Sequence, residues 1–291
     1  MWGYGHSLRC GPLHAVGDLT MRISGFGHAL FGISVAGLAM LSLVYGDFAP
    51  IFEPFPGFRF WAYGLGAILL AAGAGLFSGR TAPASAVIVG VYGMVWAVAR
   101  TRSLLLRPWV VGSWYGVCEA LGPLVGAWIL YAMLRRQDNA PAANVVTGDR
   151  ALRLARGLFG ASCIGYGAAH FAYASYTANM VPTWFPGRMG LAYLTGAFHA
   201  AAGFGLLFGV LPRMAATLEA IMLSLFGVLV WLPNFFAHPM PEWAPSAQVQ
   251  WSETFLTFLL AGSAWIVAAS LRSAPWGFAA GAPGDSPSAP R

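Results

Sequence analysis

Long apolar runs alternate with short breaks of Arg, Pro, Gly and Asp along this chain, and the spacing predicts helices that cross a bilayer. A hydrocarbon core takes about 20 mostly apolar residues in helical form. Such runs lie at about 26–46, 60–79, 82–102 and 111–134, and again at about 153–174, 189–210, 213–234 and 250–271. None alternates with the period of two that a lipid-facing strand needs, which excludes a β-barrel. Between the fourth and fifth runs stands the polar stretch Arg135-Arg136-Gln137-Asp138-Asn139-Ala140-Pro141, running on to Asp149-Arg150, and it reads as a linker. The predicted fold is an all-α, polytopic membrane bundle with eight transmembrane helices. Its parts are an N-terminal segment (1–25), a first four-helix unit (26–134), a linker (135–152), a second four-helix unit (153–271) and a tail (272–291). The tail is rich in Pro, Gly, Ser and Ala and is expected to be disordered. The first 24 residues carry His6, Arg9, His14, Asp18 and Arg22 without the continuous apolar core of a signal peptide, so the run starting near Gly27 is expected to be a retained helix.

The two halves repeat each other. Residues 55–79 match 185–209 at a constant offset of 130, with 13 of 25 positions identical and no gap. The match includes Phe55-Pro56-Gly57 with Phe185-Pro186-Gly187, and Ala71-Ala72-Gly73-x-Gly75-Leu76 with Ala201-Ala202-Gly203-x-Gly205-Leu206. An internal repeat of this kind defines the architecture before any other feature. Four spans per unit is an even number, so the two tandem units are predicted to share one orientation, related by an axis along the membrane normal. Gly75-x-x-x-Gly79 and Gly205-x-x-x-Gly209 are small-xxx-small motifs, expected to let helix backbones approach closely.

Composition supports the membrane class. Of 291 residues, 58% are hydrophobic and 9% charged, with a mean hydropathy of +0.64; a soluble domain carries about 25% charged residues. The net charge of +6 comes entirely from Arg, since there is no Lys. Eleven Arg (9, 22, 80, 135, 136, 150, 153, 156, 213, 272, 291) fall on one side of the predicted topology and five (59, 100, 102, 107, 188) on the other. Positive charge favours the cytoplasm. The chain is therefore read as a multi-pass protein of a bacterial inner membrane with both termini cytoplasmic. The charge is accounted for by orientation, and nucleic acid is not an expected partner. Cys10, Cys118 and Cys163 form no CxxC pair and have no zinc-ligand spacing, so no metal site is predicted. No P-loop, dinucleotide fingerprint, zincin motif or nucleophile elbow is present.

The second half carries Gly165-x-x-x-x-His170-Phe171, then Val181-Pro182-x-Trp184-x-Pro186-Gly187. Ala192-Tyr193-Leu194-Thr195-Gly196, Ala201-Ala202-Gly203 and Arg213-x-Ala215-Ala216 follow, and Trp251-x-Glu253 opens the last run. In order and spacing, residues 155–271 resemble a DoxX-family membrane unit. The first half keeps the Pro-Gly loop and the Ala-Gly helix but has Ser42 near the place of His170. Where such units often end their third helix in a His-Leu-Pro-Arg-like stretch, this chain reads Trp231-Leu232-Pro233-Asn234. The resemblance implies a link to quinone-dependent thiosulfate oxidation and to membrane oxidoreductase assemblies. A shared fold does not by itself transfer chemistry.

Ionisable groups inside spans are functional candidates by default. Here they are His28, Arg100, Glu119, His170, His199, Glu219 and Glu253. Glu219 is near enough to the cytoplasmic interface for a structural role, and Glu253 is placed to cap the last helix. Trp114-Tyr115-x-x-x-Glu119 and Trp251-x-Glu253 each set an acid just after a Trp at the start of a fourth helix. The acids are expected near Arg100, Arg102 and Arg188, so Arg100, Glu119 and Arg188 are candidate structural ion-pairing residues. His170 and His199 are predicted to differ in depth by roughly 5–8 Å at 1.5 Å per residue, which disfavours a shared haem. His170 stands among Phe171, Tyr173, Tyr176 and Trp184. An aromatic mouth with a His and an acid suits a quinone headgroup, and it equally suits an interfacial aromatic belt. The candidate quinone- or ligand-binding set is His170, Trp184, Tyr173, Glu253, Glu119 and His199. No catalytic residue is assigned. The Pro- and aromatic-rich loops 47–59 and 176–188 are expected to fold onto the outer face of the bundle.

The sequence therefore favours an accessory or quinone-interacting subunit of a membrane redox complex, with a membrane or peripheral oxidoreductase subunit as partner beside the lipid bilayer. A small-molecule or lipid transporter and a purely structural partner protein are the alternatives. Homo-oligomerisation and enzymatic activity are left open.

Overall fold

The computed structural model describes residues 25–48, 59–137, 144–236 and 240–277. The N-terminal segment, Cys10, the heart of the 47–59 loop and the tail beyond Gly277 lie outside the described residues. Those described are helical, with no strand among them. The helices are α1 (Phe26–Tyr45), α2 (Arg59–Gly75), α3 (Ala82–Leu106), α4 (Val111–Gln137), α5 (Asn144–Thr147) and α6 (Asp149–Ala172). They continue with α7 (Ala174–Met180), α8 (Arg188–Phe208), α9 (Pro212–Phe226), α10 (Leu232–Asn234) and α11 (Ala247–Ser270).

Local chemistry sets the ends. α1 stops where Gly46 turns left-handed at φ 64° and its N–H returns to Ser42 O, the C-terminal position at which glycine carries no Cβ penalty. α9 begins at Pro212, whose missing N–H costs nothing in a first turn. The Ser246 hydroxyl accepts the Val249 N–H at 3.3 Å and caps α11. Between α9 and α10, residues Gly227–Trp231 form a π-turn in which the Leu232 N–H reaches back to Gly227 O. Pro233 follows immediately. It can donate no hydrogen bond and crowds the preceding turn, so the helix widens instead of breaking.

Among the described residues, six helical segments are long and apolar enough to cross a membrane: Phe26–Tyr45, Ala82–Leu106, Val111–Arg136, Arg188–Phe208, Pro212–Asn234 and Ala247–Ser270. The protein is a polytopic helical membrane bundle. α2 has 17 residues, and α6 opens on Asp149, Arg150, Arg153 and Arg156. The expected linker 135–152 is shorter than its polarity suggests. α4 runs on to Gln137, α5 starts at Asn144, and Arg136 donates to Thr147 O (2.8 Å) and to Asp149 Oδ1 (2.7 Å). These polar residues tie two helix ends together.

α4 and α11 pack on each other at the centre. Around them the neighbours run α1 on α2, α2 on α3, α3 on α4, then α4 on α6, α6 on α8, α8 on α9, α9 on α11, and α11 back on α1. Phe31, Val125, Ile129, Leu130, Phe159 and Val267 are fully buried where these helices meet. The closest backbone approaches are at glycines. A Cβ on Gly203 would lie 2.5 Å from Gly160 O, and one on Gly73 would lie 2.9 Å from Ala36 N. Gly209, expected to serve such an approach, instead ends α8 in a left-handed turn at φ 69°. Ser42 and His170 take corresponding places. The Ser42 Cβ is 3.1 Å from a Cβ built on Gly66 of α2, and the His170 Cβ 2.9 Å from one on Gly196 of α8.

Candidate functional site

A cavity of about 610 Å³ opens among α4, α6, α7, α8, the π-turn and α11. His170, His199, Tyr173, Glu119 and Glu253 all line it. Five of the six predicted ligand-binding residues therefore share one wall-to-wall space. Trp184 does not. It stands 68% exposed on the loop before α8, its ring 4.2 Å from that of Phe185. The two histidines also meet more closely than chain counting predicts. Their ring centroids are 4.9 Å apart, edge to face, because each side chain leans toward the other across the glycine-thin α6–α8 seam.

His170 is held from one side. Its Nδ1 lies 2.9 Å from Thr195 Oγ1 and 3.4 Å from Ala192 O. The Thr195 hydroxyl donates to Leu191 O at 2.9 Å, so its oxygen accepts from His170. A carbonyl can only accept. Both neighbours place the proton on Nδ1 and leave the Nε2 lone pair of the neutral ring to face the cavity. Phe226, delivered by the end of α9, stacks on the same ring at 6.0 Å.

His199 is held differently. Its Nδ1 is 2.7 Å from Glu219 Oε1, with the two side chains 2% and 0% exposed. Glu219 Oε2 has no hydrogen-bond partner among the described residues. Glu219 thus serves as the buried partner of His199, a role that a location near the interface does not predict. The pairing was readable in the sequence. His199 and Glu219 each lie ten residues from Gly209, the turn between two antiparallel helices, and so come to one depth.

The acids face the other side of the cavity. Tyr115 adjoins the Glu119 carboxyl, and Glu119, Glu253 and Arg100 act on one another electrostatically. The Arg100 side chain lies across Gly116 of α4, which brings it to the acids as expected. Arg188, the other proposed ion-pairing residue, makes no ion pair among the described residues. It is the first residue of α8. Sequence reasoning also passed over Tyr166. Its hydroxyl donates to Cys118 O at 3.0 Å, and its ring stands 5.7 Å from that of His199. No group of three or more His, Cys, Asp or Glu able to hold a metal ion occurs among the described residues.

A second cavity of about 800 Å³ runs along the seam of α8 and α9. Its walls are apolar side chains such as Leu194, Phe198, Phe204, Met222 and Leu225. It shares Val181, Thr195, Phe226 and Val230 with the His170 cavity. A polar chamber and an apolar groove on the bundle flank are thus separated by one layer of side chains. Such an arrangement can take a molecule with a hydrogen-bonding head and an apolar tail.

No family model, no curated protein and no solved structure matches this chain.

Proposed function

We propose that this protein is a quinone-interacting, DoxX-like subunit of a membrane redox complex, built as two tandem four-helix units of the same orientation with eight spans. The observation that carries the ligand class is the juxtaposition of the His170 chamber with the α8–α9 groove. The quinone head sits in the chamber. Nε2 of His170 accepts from a quinol hydroxyl, the Tyr115 and Glu253 side offers a second polar contact, and Phe226 and Trp231 flank the ring. The isoprenoid tail leaves between Thr195 and Phe226 into the groove and reaches lipid without crossing water. Support for the tandem architecture comes from the neighbour scheme. Exchanging α1, α2, α3 and α4 for α6, α8, α9 and α11 reproduces every helix pairing around the ring. The bacterial inner membrane, the cytoplasmic termini and a peripheral oxidoreductase partner belong to this same reading, on the Arg distribution and the family resemblance.

The test is quinol binding to the purified protein in mild detergent, followed by the change in tryptophan fluorescence on titration with a decyl-tailed benzoquinol kept reduced. Saturable binding is expected. His170→Ala is expected to weaken it by about tenfold, the value of one lost hydrogen bond in a partly dry site. Trp184→Ala is expected to leave it unchanged. Binding that does not saturate, or that His170→Ala leaves intact, removes the quinone reading.

A further inference from the structure

At the opposite end of the bundle a third cavity, of about 260 Å³, lies where the start of α1, the end of α4, the start of α9 and the end of α11 meet. Its polar lining comes from His28, Arg213, Thr217 and Arg272, and Trp265 and Trp276 give it aromatic walls. Two of the polar groups are committed elsewhere. His28 Nε2 lies 2.9 Å from Leu76 O, and the Thr217 hydroxyl donates to Arg213 O at 2.8 Å. The guanidinium groups remain. Arg213 is fixed in place, with Nη1 donating to Arg272 O at 2.9 Å and Cζ 4.3 Å above the Trp276 ring. That anchoring leaves part of its fork open. Arg272 makes no side-chain hydrogen bond among the described residues, and its Nη2 reaches over Gly25, 3.5 Å from where a Cβ would stand. No acid among the described residues lines the cavity, and neither Arg forms an ion pair among them.

Two like charges converge here in a space walled by indole rings at the end of a membrane bundle, with no carboxylate of the described residues between them. A planar fork of N–H donors matches the oxygens of a phosphate, and basic pockets between helix ends recognise anionic headgroups. The volume suits a phosphodiester and its glycerol better than a whole lipid. Phe26 and Trp265, packed edge to face at 5.8 Å, offer an apolar flank for the acyl chains. Indole rings at this depth favour the headgroup boundary. We infer that this cavity binds the phosphate of an anionic phospholipid, held by Arg272 and Arg213. This site is independent of the His170 chamber and of whatever that chamber binds.

Free phosphate has the same chemistry, so the experiment separates the two sources. The full-length protein, stripped of lipid in mild detergent, is titrated with phosphatidylglycerol, with phosphatidylcholine of the same acyl chains, or with inorganic phosphate, and bound species are read by native mass spectrometry. One phosphatidylglycerol is expected to be retained about tenfold more tightly than phosphatidylcholine, and millimolar inorganic phosphate is expected not to displace it. Arg272→Gln is expected to abolish the preference. Arg272→Lys keeps the charge and is expected to keep part of the preference. Arg107→Gln, at the other end of the bundle, is expected to change nothing. Equal retention of the two lipids overturns the assignment, as does a preference that survives Arg272→Gln. Displacement by inorganic phosphate overturns the lipid in favour of a soluble anion. If Arg272→Gln is not recovered folded, the lysine variant decides, since an unchanged preference there means the guanidinium fork is not the contact.

Discussion

Two contacts between a basic side chain and a carboxyl group in this protein have the same length and opposite surroundings. His199–Glu219 and Arg136–Asp149 both measure 2.7 Å, but their side chains are 2% and 0% exposed in the first and 45% and 78% in the second. Burial decides their worth. An exposed pair is screened by water and ions, whereas removing one member of a buried hydrogen-bonded pair strands the other polar group at a cost of about 1–3 kcal/mol. Glu219→Ala or His199→Ala is therefore expected to lower the thermal midpoint in detergent by roughly 2–12 °C. The double change His199→Leu with Glu219→Met removes both polar partners and is expected to recover most of that loss. Asp149→Asn is expected to leave the midpoint where it is. The Arg136 hydrogen bond, and then its charge, holds the Asp149 carboxyl below the ordinary carboxylate range. A depressed pKa contributes stability above the unfolded value near 3.9 and loses it as pH falls through the folded value, so this contribution is complete at neutral pH. A double variant no better than the singles would mean that the site needs these two polar groups themselves, not merely a partner for each. Much of this site was legible in the residue types, because intramembrane His and Glu are costly enough to be conspicuous. The partners were less so. Thr195 and Tyr166 are ordinary residues in spans, and only the fold gives their hydroxyls a His and a carbonyl to meet.

Helix contacts here rest on absent side chains. Lipid gives no hydrophobic drive for helices to associate, so close packing must supply it. The α6–α8 seam shows this most clearly. At Gly203 a Cβ would meet Gly160 O at 2.5 Å and Ile164 N at 3.0 Å, both main-chain atoms that cannot rotate away. At Gly190, in the same helix, nothing lies within 4 Å. Gly203→Ala is expected to destabilise the protein by about 1–3 kcal/mol, the usual cost of overpacking, and Gly190→Ala to be neutral or slightly favourable by helix propensity. Circular-dichroism melts of the two variants side by side check this, and equal midpoints would show that the seam has slack. Because α6 and α8 also carry His170 and His199, Gly203→Ala is expected to weaken quinol binding as well, by separating the rings. At this scale, apolar run length placed the six helices long and apolar enough to cross a membrane to within a few residues. It missed α7, which is short and polar enough to pass for loop, and the π-turn, whose only sign is Pro233. It also missed half of the repeat. Leu30-Phe31-Gly32-x-Ser34-x-x-Gly37 recurs as Leu158-Phe159-Gly160-x-Ser162-x-x-Gly165, but at an offset of 128. The segment 55–79 recurs at 130. A loop two residues longer in the second half hides the first match from any comparison at one fixed offset.

Among the six candidate spans of the described residues, the most buried are α11 and α4. The spanning window of α11 is 72% buried and that of α4 61%, whereas the other four range from 33% to 44%. α4 packs on α3 of its own half but also on α6 and α11 of the other, and α11 packs on α9 and also on α1. Each half closes its core with the other half's help. Val125, Ala127, Ile129 and Ala132 on α4 have no accessible surface at all, and a first half alone would turn part of that face to lipid. The cost there is lost close packing, not water contact, since the bilayer is as apolar as the residues exposed. Glu119 adds a stronger constraint. It lines the shared cavity with Tyr115 from the first half while His170 and Glu253 line it from the second, so the chamber's polar lining is complete only when both halves are present. Cutting the chain between residues 137 and 144 and expressing the pieces together, with an affinity tag on the first only, is thus expected to recover both in one complex that binds the decyl-tailed benzoquinol. Either piece expressed alone is expected to aggregate or be degraded, and the second half alone not to bind. A second half that is monodisperse by itself and binds the quinol as tightly as the whole protein would make the units independent, with the first half no part of the site.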